Sequence, residues 1–399
     1  MKKIIIALLL TALLAGLTAA ALAEEAALIT GDCALTVSDG SKKTARMTDG
    51  KYGTHWKQTN RGEGWIRIDA PEGGTVGAVT VCFDSVTLPW RLEVPDGEGW
   101  TAVFTCENGF LHETVRLENP APSVRIAAPS GEDRLAVAEL RVWGPGDLPE
   151  SAQHWEPTHE KADILFLAAH ADDELIFFGG AIPTYDTERG YRVVVAYLIN
   201  CGTERCHELL DGLWSMGVRH YPVLGPYHDR YSTDVDRAYS LMGGKNRVWN
   251  WVVALVRQYK PEVVVTHAWG GEYGHGQHQV CARSMVKAFS KAADPGSFTA
   301  SVEPWGTWQI KKLYLHLWKE NPITMDWSVP LASLDGVTGI GAAERAFEFH
   351  VSQHSTNMDV KHTGVRYDNT KFGLYGTTVG PDVVGGDFME NITPAEDQP

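Results

Sequence analysis

Ile164-Leu165-Phe166-Leu167-Ala168-Ala169-His170-Ala171-Asp172-Asp173-Glu174 decides the reading of this chain. Its apolar start predicts a strand covered on both faces, the kind from which parallel sheets are built. An imidazole and three carboxylates follow at once. A parallel sheet keeps its ligand site beyond the carboxyl ends of its strands, so these groups leave the strand where a site belongs. Burying them is costly unless their charge is compensated, and a cation compensates it.

Outward from this stretch, Arg192–Ile199 and Glu262–Thr266 repeat the apolar pattern. Helical periods lie between them. Leu209, Leu213 and Trp214 share a face of a segment ending at Gly217, and Val248, Val252, Leu255 and Tyr259 share another, stopped by Pro261. Strand–helix alternation predicts a Rossmann-like α/β domain with a mainly parallel sheet, over residues 161–345. Gly274-His275-Gly276-Gln277-His278 follows the strand Glu262–Thr266 and reaches the same sheet edge. Two His and one carboxylate drawn from these two stretches can make three ligands that leave open positions on an ion, the mark of a catalytic rather than a structural site. A second carboxylate beside the ion can take the proton of an attacking water. The remainder, 346–399, reads as an extension packed on this domain, with a Gly- and Asp-rich end of irregular structure.

Residues 27–147 read differently. Short alternating runs (Trp65–Ile68, Val79–Phe83, Thr114–Leu117, Ser123–Ile126, Ala138–Val142) are separated by Gly, Pro, Asp and Asn, which predicts an antiparallel β-sandwich. Residues 148–160 are the linker. Lys2, Lys3, an apolar run and Ala21-Leu22-Ala23 predict a secretory signal over 1–23 with no lipid-modified cysteine after it, hence a secreted or cell-envelope protein without an integral membrane segment. The formal charge is −15; cleavage removes two lysines and leaves −17. That acidity excludes nucleic acid as a partner. Six cysteines permit disulfides, and Cys201 and Cys206 are close enough in sequence to pair.

The motif order carries a resemblance. Ala169 to Glu174 is similar to the Ala-His-Pro-Asp-Asp-Glu motif of the PIG-L/LmbE-like zinc-dependent N-acetylglucosamine deacetylases, and Tyr273 to His278 to that family's Tyr-Gly-His-Pro-Asp-His. Arg205, Glu208, Leu209 and Met216-Gly217-Val218 match a weaker third stretch. The resemblance implies a metal-dependent N-deacetylase acting on N-acetylated amino sugars in glycans or glycoconjugates. Zn2+, or another divalent ion such as Fe2+, would sit on His170, Asp173 and His278. Asp172 would be the base, His275 the acid or an electrostatic partner, and Tyr273 an oxyanion donor. Arg205 would bind substrate, unless it only pairs with Glu208. Gly276-Gln277 stands where the family has Pro-Asp, an Asp that could orient His275. Asp229 is a candidate to support the site, and His267 either lines the pocket or packs in the core. Thr48-Asp49-Gly50, Thr54, Trp56, Trp65 and Glu139–Gly144 resemble a discoidin-type, galactose-binding-like module. Two other readings stay open: a glycan-binding surface protein with an idle hydrolase domain, and a non-haem iron oxygenase, whose facial triad uses the same ligand types.

Overall fold

A computed structural model of the protein describes residues 24–129, 134–356 and 358–393; the segment 1–23, read as a signal, lies outside them. The chain forms two compact units. The first holds the described residues up to 153 except 110–112, and the second holds 110–112 and the described residues from 154 onward. The division falls within the stretch 148–160.

The first unit is an antiparallel sandwich. Its strands are β1 (Ala34–Val37), β2 (Trp56–Lys57), β3 (Gly64–Asp69), β4 (Val76–Ser85), β5 (Trp90–Asp96), β6 (Gly99–Cys106), β7 (His112–Ala121), β8 (Ser123–Ala128) and β9 (Ala136–Trp143). One sheet runs β1-β3-β8-β5-β6 and the other β2-β9-β4-β7. Alternation places Ile66, Ile68, Leu92, Val124 and Ile126 inward from one sheet, and Val79, Val81, Leu140 and Val142 are buried in the other. Trp56 is buried among them and Trp65 is half-buried, so Trp56 is a core residue.

The second unit is built on a seven-stranded sheet of β10 (Ile164–Ala168), β11 (Val193–Asn200), β12 (Val223–His228), β13 (Val263–Thr266), β14 (Lys312–His316), β15 (Pro322–Thr324) and β16 (Lys371–Thr377). The order is β12-β11-β10-β13-β14-β16-β15. The five strands from β12 to β14 are parallel. From β10 the chain moves outward through β11 to β12, then returns to place β13 on the other flank. That reversal opens a crevice at the carboxyl ends of β10 and β13. The principal helices are α1 (Asp173–Ile176), α2 (Thr203–Ser215), α3 (Val235–Leu241), α4 (Lys245–Tyr259), α5 (Gly276–Lys291) and α6 (Gly339–Phe347).

Local chemistry ends these helices where the sequence suggests. Gly217, at φ 87°, follows α2; its N–H and that of Val218 donate to Trp214 O and Leu213 O, satisfying carbonyls the helix leaves open. Lys260 turns left-handed after α4, just ahead of Pro261. One expectation is corrected. The end of the chain is not irregular throughout, because β16 pairs antiparallel with both β14 and β15. Phe372 and Leu374, two apart, are buried, and this alternation of two is what the abundant Gly and Asp around it conceals. Among the described residues no helix is long and apolar enough to cross a membrane.

Candidate active site

The crevice collects two loops. The first leaves β10 as Ala169 to Glu174 and enters α1. Asp172 sits at φ 115°, ψ −29°, a left-handed setting that a non-glycine residue adopts only under constraint. Its N–H donates to Glu174 Oε2 at 3.0 Å, and Arg205 Nη2 donates to Ala171 O at 2.6 Å and to Asp172 Oδ2 at 3.1 Å. These bonds hold the turn. The second loop leaves β13 and carries Glu272, Tyr273 and His275 before α5. Gly271, Tyr273 and Gly274 all have positive φ. Gly271 is required there, since a Cβ would lie 2.4 Å from His275 O.

His170 Nδ1, Asp173 Oδ2 and His278 Nε2 form a nearly equilateral triangle with sides of 3.0, 3.2 and 3.3 Å. The other nitrogen of each ring is spoken for. His170 Nε2 donates to Gln277 Oε1 at 2.8 Å, while Gln277 Nε2 donates to His228 O at 3.0 Å and so turns its oxygen toward the ring. His278 Nδ1 donates to Glu272 Oε2 at 2.8 Å. Both imidazoles therefore point lone pairs, not protons, at the triangle, and the carboxylate oxygen adds another. Three buried lone pairs repel one another unless a cation sits among them. In a tetrahedral site with bonds near 2.0–2.1 Å, ligand atoms stand about 3.3 Å apart. The donor set fits a divalent ion.

Glu272 is a residue that sequence reading missed. It is fully buried. Its two oxygens meet His267 Nδ1 at 2.7 Å, His278 Nδ1 at 2.8 Å, His316 Nδ1 at 2.5 Å and Ala268 N at 3.0 Å. Burial alone would raise its pKa, but His267 and the ring N–H donors hold it well below the usual carboxylate range. His267 belongs to the core behind the site. It receives the Ala169 N–H on Nε2 at 2.9 Å, which leaves its proton on Nδ1 for Glu272. An acid set between Gly270-Gly271 and Tyr273-Gly274, three residues before His275, was the available signal.

A cleft of about 380 Å³ opens on the triangle, lined by His170, Asp172, Asp173, Arg205, Asp229 and Tyr231, with Tyr273, His275, Gln353 and Met358. Burial, then the neighbouring Asp173, pushes the Asp172 carboxyl up to about 7, with Arg205 and His170 opposing. Tyr273 is 40% exposed, and burial of its hydroxyl followed by the acids of the site holds its pKa above the usual value, so it stays a donor. Arg205 does not pair with Glu208, which instead receives Ser352 N and Oγ. Its Nε is buried without a hydrogen-bond partner. Asp229 lies 3.6 Å from His170 Nε2 and 3.7 Å from Arg205 Nη1.

His275 departs from the expected acid. Its Nδ1 accepts the Gln277 N–H at the start of α5 at 3.2 Å, so a neutral ring carries its proton on Nε2. Burial, then His278 and His170, lowers its pKa to about 3. The side chain of Gln277 orients His170, and only its backbone N–H meets His275. Tyr231, Gln353 and Met358 are further cleft residues that no motif announced.

This geometry coincides with a family. Residues 165–289, all within the second unit, match the profile described as PIG-L: GlcNAc-PI de-N-acetylase. Two curated relatives are 1D-myo-inositol 2-acetamido-2-deoxy-alpha-D-glucopyranoside deacetylases. The protein from Frankia casuarinae is 29% identical over 44% of this chain and 67% of its own length. That from Frankia alni is 30% identical over 37% of this chain and 59% of its own length. The chain thus spans about two thirds or less of the length of these two relatives. Among solved structures, N,N'-diacetylchitobiose deacetylase from Pyrococcus horikoshii overlaps 48% of this chain and 71% of its own (TM-score 0.37, 18% identity). The family 32 carbohydrate-binding module of C. perfringens NanJ, solved with galactose, overlaps 30% of this chain and 98% of its own (TM-score 0.26, 16% identity).

Proposed function

We propose that this chain is an exported, zinc-dependent amidohydrolase that removes acetyl groups from N-acetylated amino sugars of the GlcNAc type in glycans or glycoconjugates. The observation that carries the reading is the triangle of His170, Asp173 and His278 with Asp172 beside it on the cleft wall. The relatives' named substrate is an acetamido sugar, and the cleft is of a size for one sugar unit. Export rests on the sequence of residues 1–23.

Two ring nitrogens and one carboxylate oxygen suit Zn2+. A divalent ion held there would polarise the acyl carbonyl and acidify water. The protein's own groups do the rest. Arg205 holds Asp172 Oδ2 and leaves Oδ1 to take the proton of the attacking water. The raised pKa lets Asp172 keep that proton long enough to hand it to the departing amine. Tyr273 and the Nε2–H of His275 donate hydrogen bonds to the oxygen on which charge develops. His275 thus acts as a neutral donor, and the acid role falls to Asp172.

Asp172→Asn tests the assignment. The variant should bind zinc in full and lose acetate release from N-acetylated oligosaccharides by about 10²–10⁴-fold, as expected for a lost general base. Full activity, or loss of metal before loss of activity, would remove Asp172 from the role. Turnover that requires oxygen would point to iron oxygenase chemistry instead.

A further inference from the structure

Arg205, which grips Asp172, lies between two cysteines. Cys201 follows β11, Cys206 lies in the N-terminal part of α2, and Gly202 at φ 81° turns the chain between them. The turn brings Cys201 Sγ to 2.7 Å from Cys206 Sγ. Arg205 projects from the same short segment to bond Ala171 O and Asp172 Oδ2. Anything that closes this segment on itself restrains the residue that positions the base.

We propose that Cys201 and Cys206 form a dithiol–disulfide couple, whose disulfide closes a ring through Arg205 and fixes its guanidinium on Ala171 and Asp172. The oxidant is a disulfide of a small thiol, acting by exchange. Cys201 carries the more reachable sulfur, since Cys206 is only 2% exposed. Cys201 passes its proton to the Cys206 thiolate, attacks one sulfur of the incoming disulfide and expels a thiolate. Cys206 then releases that proton, attacks Cys201 Sγ and expels the second thiolate. Overall, one protein thiol and one thiolate become a disulfide, and the oxidant becomes one thiol and one thiolate, the single proton released going to the former. The surroundings favour the Cys206 thiolate: the Cys201 S–H bonds to it and, against the opposing effect of burial, the Cys201 backbone N–H and the nearby Arg205 help draw the Cys206 pKa below its usual value.

The test does not depend on acetyl removal. The full-length protein is equilibrated with glutathione disulfide, its remaining thiols are alkylated, and it is digested with trypsin. Trypsin cuts after Arg205 and so separates the two cysteines. The expected product is the segment ending at Arg205 still joined to the segment beginning at Cys206, lighter than the two free peptides by two hydrogens and alkylated on neither. Recovery of both cysteines alkylated overturns the proposal. Hydrogen exchange supplies the second readout. Oxidation should slow the amides around Ala171–Asp173 several-fold in the native protein and leave them unchanged in Cys201→Ser and Cys206→Ser. A disulfide that forms without slowing those amides would show that the ring does not hold Arg205.

Discussion

Gln277 shows how much a single side chain settles. By accepting from His170 Nε2 while donating to His228 O, it fixes which nitrogen His170 offers to an ion. Gln277→Leu should weaken metal retention by about 10–100-fold, the usual effect of losing a group that orients a ligand; competition with a chelator measures it. Unchanged retention would mean that Asp229 or water fixes the tautomer instead. His170, Asp173 and His278, which the structure brings together, could be singled out from the chain because their types and spacing are chemical. The partners of those ligands could not. Whether position 277 faces His170 or His275 depends on backbone angles at Gly271, Tyr273 and Gly274, and no spacing rule encodes them.

At the scale of elements, the loop between β13 and α5 is the sensitive piece. Gly271→Ala would drive a methyl into His275 O in a left-handed setting. We expect a loss of about 1–3 kcal/mol in stability together with metal affinity, read by urea unfolding and metal titration. Normal metal affinity would show that the loop tolerates the shift. The corner after α6 carries a second sensitivity. His350 is fully buried with neither ring nitrogen bonded, and burial, then the charges of Arg205 and His354, lowers its pKa from 6.5 to about 3. The folded state therefore refuses a proton that the unfolded chain accepts. The stability it confers is present above pH 6.5 and is lost as pH falls toward 3, with a slope of up to about 1.4 kcal/mol per pH unit. His350→Phe should flatten that slope between pH 6.5 and 4; equal slopes in both proteins would assign it elsewhere. Elements were legible where apolar runs are unbroken, as in β10, β11 and β13. They were illegible where exposed residues fill an edge strand, as in β6, or where glycines interrupt the pattern, as in β16.

For the molecule as a whole, β16 is the closing piece of the catalytic sheet and, among the described residues, the one strand to which β15 pairs. Ending the chain at 370 removes the burial of Phe372, Leu374, Phe388 and Met389, worth about 6–12 kcal/mol together. Net stabilities of folded domains are about 5–15 kcal/mol, so the shortened protein should be largely unfolded. A cooperative melt near that of the full chain would contradict this.

The same strand also sets a schedule. During synthesis β14 is made well before the strand that will flank it, and until residue 377 has emerged its outer edge offers unpaired amides and carbonyls to any passing chain. The catalytic unit consequently spends most of its time on the ribosome unable to finish. Until then, a neighbouring chain with a free strand edge can take the place of β16 beside β14.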